Sequence, residues 1–150
     1  QILEAEMGNE AAGRIHWSFW LISVIALLWN VGGCVNYLMQ TNQAFVATLP
    51  ETHRAIIEGR PAWATGGFAI GVFAGALGCL LLLSRKSLAF YIFIASLLGI
   101  VVTMLHTGNV GYSKTDFTPG EIVVMILLPI IVAVVLIAYT KLAMRKNWIS

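Results

Sequence analysis

The sequence predicts an all-α polytopic membrane protein: a bundle of four transmembrane helices, with a short helix on the outer face between the first and second spans. Three observations carry that expectation. The 150-residue chain is 59% hydrophobic and 11% charged, with a mean hydropathy of +0.84, where a soluble domain has about 25% charged and about 45–50% apolar residues. Four stretches reach the ~20 apolar residues a helix needs to cross the hydrocarbon core. None of the four holds an Asp, Glu, Lys or Arg. Seven acids and nine bases cannot clothe a soluble surface, which argues against a soluble enzyme or a disordered scaffold. A net charge of +2 without a clustered basic face argues against a nucleic-acid partner.

The first sixteen residues, QILEAEMGNEAAGRIH, have no apolar core and do not read as a signal peptide. Span one follows at residues 17–38, span two at 62–84, span three at 88–106 and span four at 122–139, so residues 1–150 form a single membrane domain. A helix is the expected form of each, because the bilayer offers nothing to unpaired backbone groups. Between spans one and two, Thr48-Leu-Pro-Glu51 has capping-box spacing. Gly59 suits a helix stop and Pro61 a helix start, which predicts the short outer-face helix over 49–58. Leu49, Ile56 and Ile57 give it an apolar side. The second connection, SRKS, makes spans two and three antiparallel neighbours. The third, TGNVGYSKTDFTPG, is rich in turn residues. In span four Pro129 removes the bond to the Met125 carbonyl and predicts a kink.

Charge orients the bundle. Arg14, Arg85, Lys86, Lys141, Arg145 and Lys146 fall on one side, and Arg54, Arg60 and Lys114, offset by acids, on the other. By the positive-inside rule both termini are cytoplasmic. Trp17, Trp20, Tyr139 and Trp148 then belong to the inner interface, and Tyr37, Trp63 and Tyr112 to the outer one. The basic tail reads as an anchor on an anionic inner leaflet.

Small residues set the expected packing. Gly67, Gly71 and Gly75 stand at four-residue spacing on span two, continued by Gly78 and Cys79, and span three offers Ala95, Gly99 and Thr103. Such lines let helix backbones approach in lipid, where packing rather than hydrophobicity drives association. The first reading is an intramolecular seam, the second a homo-oligomer interface. On span one Ser23, Ala26, Asn30, Gly33 and Tyr37 form another stripe. A mid-membrane amide needs a partner, so Asn30 makes either an interhelical hydrogen bond worth ~1 kcal/mol or a ligand contact. Tyr37, Thr103 and His106 are the other candidate polar contacts.

Chemistry is sparse. His16 and His106 lie at opposite faces and cannot share a haem. His53 with His106 makes a poor metal set, so neither metal nor cofactor is expected. Cys34 and Cys79 differ in depth by ~20 Å of helix rise and should be free thiols. No nucleophile stands beside a base and no carboxylates pair, so no enzyme is expected. The spans carry no Asp, Glu, Lys or Arg for ion coupling either, and His106 stands only at the end of span three.

The segments FWLISVIALLWNVGG, RPAWATGGFAIGVFAGALGCLLLLSRKSLAFYIF and the terminal RKNWIS resemble a group of small four-span bacterial inner-membrane proteins of unknown role. Members often carry the label of sugar transporter. The resemblance runs from Trp17 to Ser150 and singles out Trp29, Asn30, Pro61, Ala62 and Trp63 without giving them chemistry. It implies a multi-pass protein of the bacterial cytoplasmic membrane. The residues favour a non-catalytic accessory or structural subunit, with the lipid bilayer and other membrane subunits or further copies of itself as partners. The alternatives are a small oligomeric carrier or channel lined by Asn30, Tyr37 and Thr103, or a bundle that binds lipid, quinone or haem.

Overall fold

The computed structural model describes residues 15–114, 120 and 123–150. Helix α1 (Trp17–Gln40) opens on His16, whose Nδ1 accepts the Ser18 amide at 3.2 Å. Two short helices follow, α2 (Gln43–Val46), capped by Asn42, and α3 (Glu51–Glu58). Then come α4 (Ala62–Leu83), α5 (Leu88–Lys114), a π-helical turn at Val123–Leu127, and α6 (Leu128–Arg145). Four of these are long and apolar enough to cross a membrane. The protein is an all-α, multi-pass, four-helix membrane bundle.

Several boundaries differ from the sequence expectation. The short helix expected over 49–58 is present as α3, preceded by the additional turn α2 that the sequence did not predict, and the capping box does not form. Thr48 instead donates its hydroxyl back to the Phe45 carbonyl at 2.6 Å, ending the turn after α2, while Pro50 precedes α3 with no side-chain cap. Span three was expected to stop at His106, but its helix runs on to Lys114, because the backbone ladder tolerates the polar residues once they leave the apolar layer. The rest of the expected third loop and the start of span four, residues 115–119 and 121–122, lie outside the described residues. Pro129 shows its effect as the π turn just before it: without an amide at 129 the ladder cannot continue in α register, and a wider turn takes up the mismatch.

The α4–α5 hairpin is the most closely packed pair. A Cβ on Gly67 would stand 2.9 Å from the Gly99 carbonyl, and one on Gly99 would stand 2.6 Å from the Gly67 carbonyl and 2.7 Å from the Gly71 amide. Only hydrogen fits between these backbones. Ser96 donates its hydroxyl to the Gly71 carbonyl at 2.5 Å, and the Phe93 ring lies over Gly78. Ala95, expected on this seam, is half-buried beside it and is not among the atoms nearest any of the glycines. The seam has turned by one position, so Ser96 takes that place. Helix α1 packs on an adjoining face of α4 that shares Gly75 with the seam, with Gly33 against Val72 and the Cys34 thiol donating to the Val72 carbonyl at 3.3 Å.

At the hairpin end the chain terminus is latched. Arg85 and Asn147 adopt left-handed backbones, φ 60° and 57°, and each ends its helix with a six-to-one bond, Lys86 amide to Leu81 carbonyl and Trp148 amide to Ala143 carbonyl. This conformation suits Asn and is unfavourable for Arg. The Arg85 side chain offsets it by donating Nε to the Trp148 carbonyl at 2.8 Å, while the Arg85 carbonyl accepts the Ser150 amide at 3.1 Å. The reversal at Asn147 tucks Trp148 and Ile149 into the main apolar cluster with Phe19, Cys79, Leu82, Phe93 and Leu136. Trp148 is therefore 8% exposed, edge-on to Phe19 at 5.9 Å, and not the interfacial belt residue its position suggested.

Candidate functional site

The bundle closes in chain order, α1 on α4, α4 on α5, α5 on α6. Near the latch, α1 meets α6 through the stacked rings of Phe19 and Tyr139, 6.5 Å apart. Toward the other end a cavity of about 560 Å³ stands between them. Helix α3 lies beside it, held to α5 by the His106 Nε2–H, which donates to the Ile56 carbonyl at 3.1 Å. The volume is within the ~300–1,000 Å³ common for small-molecule sites.

The cavity grades from polar to apolar. Gln40, His53 and Arg60 line one part, Ile56, Val72, Ile100 and Met104 its walls, and Met125 and Pro129 the side of the π turn. Thr103 and Asn30 contribute polar groups. Its rim reaches residues that face outward from the bundle, Leu28 at 66% exposure and Val124 at 61%. Those side chains belong to the lipid, so the cavity borders the membrane between α1 and the π turn.

Two polar atoms on this lining have no hydrogen-bond partner. Thr103 is 1% exposed, and its Oγ1 is enclosed and unpaired; the Arg60 Nε is likewise enclosed and unpaired. A buried hydroxyl without a partner costs about 1–3 kcal/mol, so a polar ligand atom is the natural complement. The Arg60 Nη1 donates to Gln40 Oε1 at 3.0 Å, and its guanidinium carbon lies 5.0 Å from the Phe68 ring centre. Burial pulls the Arg60 pKa below its ordinary value, with Tyr37 acting in the opposite sense.

The residues singled out by sequence divide. Asn30 and Thr103 share the cavity, while Tyr37 and His106 are not among its lining. Tyr37 stacks on Phe68 at 5.4 Å and meets Phe73 edge-on; His106 packs edge-on against Trp63. Asn30 is already engaged, its Nδ2 donating to the Ala26 carbonyl at 2.9 Å and to Cys79 Sγ at 3.5 Å. Gly67, Gly71, Gly75 and Gly99 pack helices, though Gly71 also touches the cavity. Sequence reasoning passed over Arg60 and Gln40. Their signal was an arginine and an amide just outside the ends of adjacent spans. Among the described residues no three His, Cys, Asp or Glu side chains converge as a metal set, and both cysteines are free. No protein-family model matches the chain, and no similar curated protein or solved structure is found.

Proposed function

We propose that this is a non-catalytic binding protein of the bacterial cytoplasmic membrane, holding one lipid-soluble amphiphile between its helices. The observation that carries it is the cavity of about 560 Å³ at the membrane-facing gap between α1 and the π turn, lined by a buried Thr103 hydroxyl that has no protein partner. The latch end, with Arg85, Lys86, Lys141, Arg145 and Lys146, faces the cytoplasm on this reading, as the positive-inside rule implies. The cavity then lies toward the outer leaflet. The apolar cluster around Phe19, Leu82 and Trp148 fills the bundle at the cytoplasmic end, which favours holding a molecule over conducting one.

The test is extraction of the protein in mild detergent followed by mass identification of what it retains. Gly32 lines the cavity and has no atom within 4 Å of an added Cβ, so Gly32→Trp adds bulk at the opening with no clash at its Cβ. About one amphiphile per wild-type chain is expected, and a several-fold loss in Gly32→Trp. Wild-type protein free of amphiphile, or equal retention by the variant, refutes the reading.

A role as accessory subunit has one observation of its own. Gly66 is exposed on α4 with nothing within 4 Å of its Cβ position, so a helix of another subunit can approach it closely. Co-purification of a stoichiometric membrane protein, lost on Gly66→Leu, supports that reading; a single chain in native mass measurement counts against it.

A further inference from the structure

The geometry points to an acidic, single-chain amphiphile as the ligand, its carboxylate or phosphate held by Arg60 and its chain lying among Ile56, Val72, Ile100 and Met104. This rests on the cavity being a ligand site. Among the described residues the lining contains the cationic Arg60 and no Asp or Glu. Glu51 and Glu58, the acids of the adjoining α3, are exposed and outside the lining, and among the described residues no carboxylate pairs with Arg60.

A half-buried guanidinium without a counter-charge is costly, because its charge has lost part of its water. The fold keeps it there with two supports, the Gln40 amide and the Phe68 face, which fix the plane of the fork and leave Nε unpaired. With Nε enclosed and Nη1 already on Gln40, the remaining Nη protons and the charge of the planar guanidinium are what an oxyanion would meet from the cavity. A neutral hydroxyl or quinone carbonyl satisfies one donor and leaves the charge uncompensated. Thr103, unpaired on the same lining, complements a further oxygen of the ligand, such as an ester or hydroxyl. The volume of about 560 Å³ suits a small headgroup with one chain, as in a fatty acid or an acyl lysophosphatidate.

The experiment titrates the full chain in non-ionic detergent with oleate, oleoyl lysophosphatidate, methyl oleate and inorganic phosphate, counting bound molecules by native mass spectrometry. Chain-brominated analogues report the site itself by quenching Trp29, compared with Trp29→Phe. Oleate and lysophosphatidate are expected to bind once per chain, at least tenfold tighter than methyl oleate, with phosphate alone competing poorly. Arg60→Gln should abolish that preference while methyl oleate still binds. Arg60→Lys should keep a reduced preference, and Glu58→Gln all of it. Equal affinity for oleate and its methyl ester in the wild type overturns the inference without recourse to any variant. So does an undiminished preference in Arg60→Gln, or full competition by phosphate, which marks a free-anion site. Failure of every amphiphile to bind overturns instead the ligand-cavity reading on which this one rests.

Discussion

Asn30 occupies the notch that Gly75 leaves in the facing helix: a Cβ on Gly75 would overlap the Asn30 Oδ1. With Nδ2 on the Ala26 carbonyl and the Cys79 sulfur, the amide is locked between α1 and α4. A mid-membrane polar group is thereby satisfied, and the small residue opposite it is the condition for that fit.

Gly75→Ala should therefore destabilise the bundle, by about 1–3 kcal/mol as for other overpacked sites. Gly66→Ala, where the Cβ position is open, should change stability by no more than about 0.5 kcal/mol. Reversible unfolding in mixed micelles measures both. A Gly75→Ala protein as stable as the wild type would remove the notch from the account.

The α4–α5 seam separates two kinds of contact. Ser96→Ala loses one interhelical hydrogen bond, to the Gly71 carbonyl, and is expected to cost about 0.6 kcal/mol and at most about 1.7. Gly99→Ala puts a methyl against the Gly67 carbonyl and the Gly71 amide; neither backbone can give way without parting the helices, so its cost should be the larger. The same unfolding assay ranks them, and the reverse order would show that the backbones are free to separate.

Trp148→Ala should unlatch the terminus. The ring is buried against Phe19, and emptying such a site costs about 3 kcal/mol or more. Trp17→Ala, at 68% exposure, should cost little in the same detergent. Proteolysis of the last ten residues offers a second reading, with rapid cleavage expected only in Trp148→Ala. Equal protection of the two variants would argue that the latch does not depend on this ring.

Thiol labelling distinguishes the two cysteines. Cys79 is fully buried and holds Asn30, while Cys34 is half-buried. In the folded protein a maleimide should reach Cys34 slowly and Cys79 not at all. After denaturation without reductant both should label, and a mass increase of fewer than two adducts would contradict free thiols.

How far each feature was legible depended on whether its cause is local. The four spans and the tight SRKS turn follow from apolar run length and punctuation, which belong to neighbouring residues. Gly67, Gly71 and Gly75 were visible as a packing line because helical spacing alone puts them on one face. Which residues oppose them was not, and Ser96 stands where Ala95 was expected because that depends on how α5 is rotated. In lipid the outward and inward faces of a helix are equally apolar, so the periodicity that marks a buried face in a soluble helix is absent.

By itself, then, the sequence determined the solvent and the number of crossings, since composition and length decide whether a backbone can be satisfied inside a bilayer. Only the tertiary structure decided that Asn30 is spoken for by Gly75, Ala26 and Cys79 while Thr103 and Arg60 are left with unpaired atoms on a cavity wall. The two outcomes look alike along the chain, where each is a polar residue in or beside an apolar run. They differ through the groups other helices bring within hydrogen-bonding distance, and those are set by helix rotation and packing.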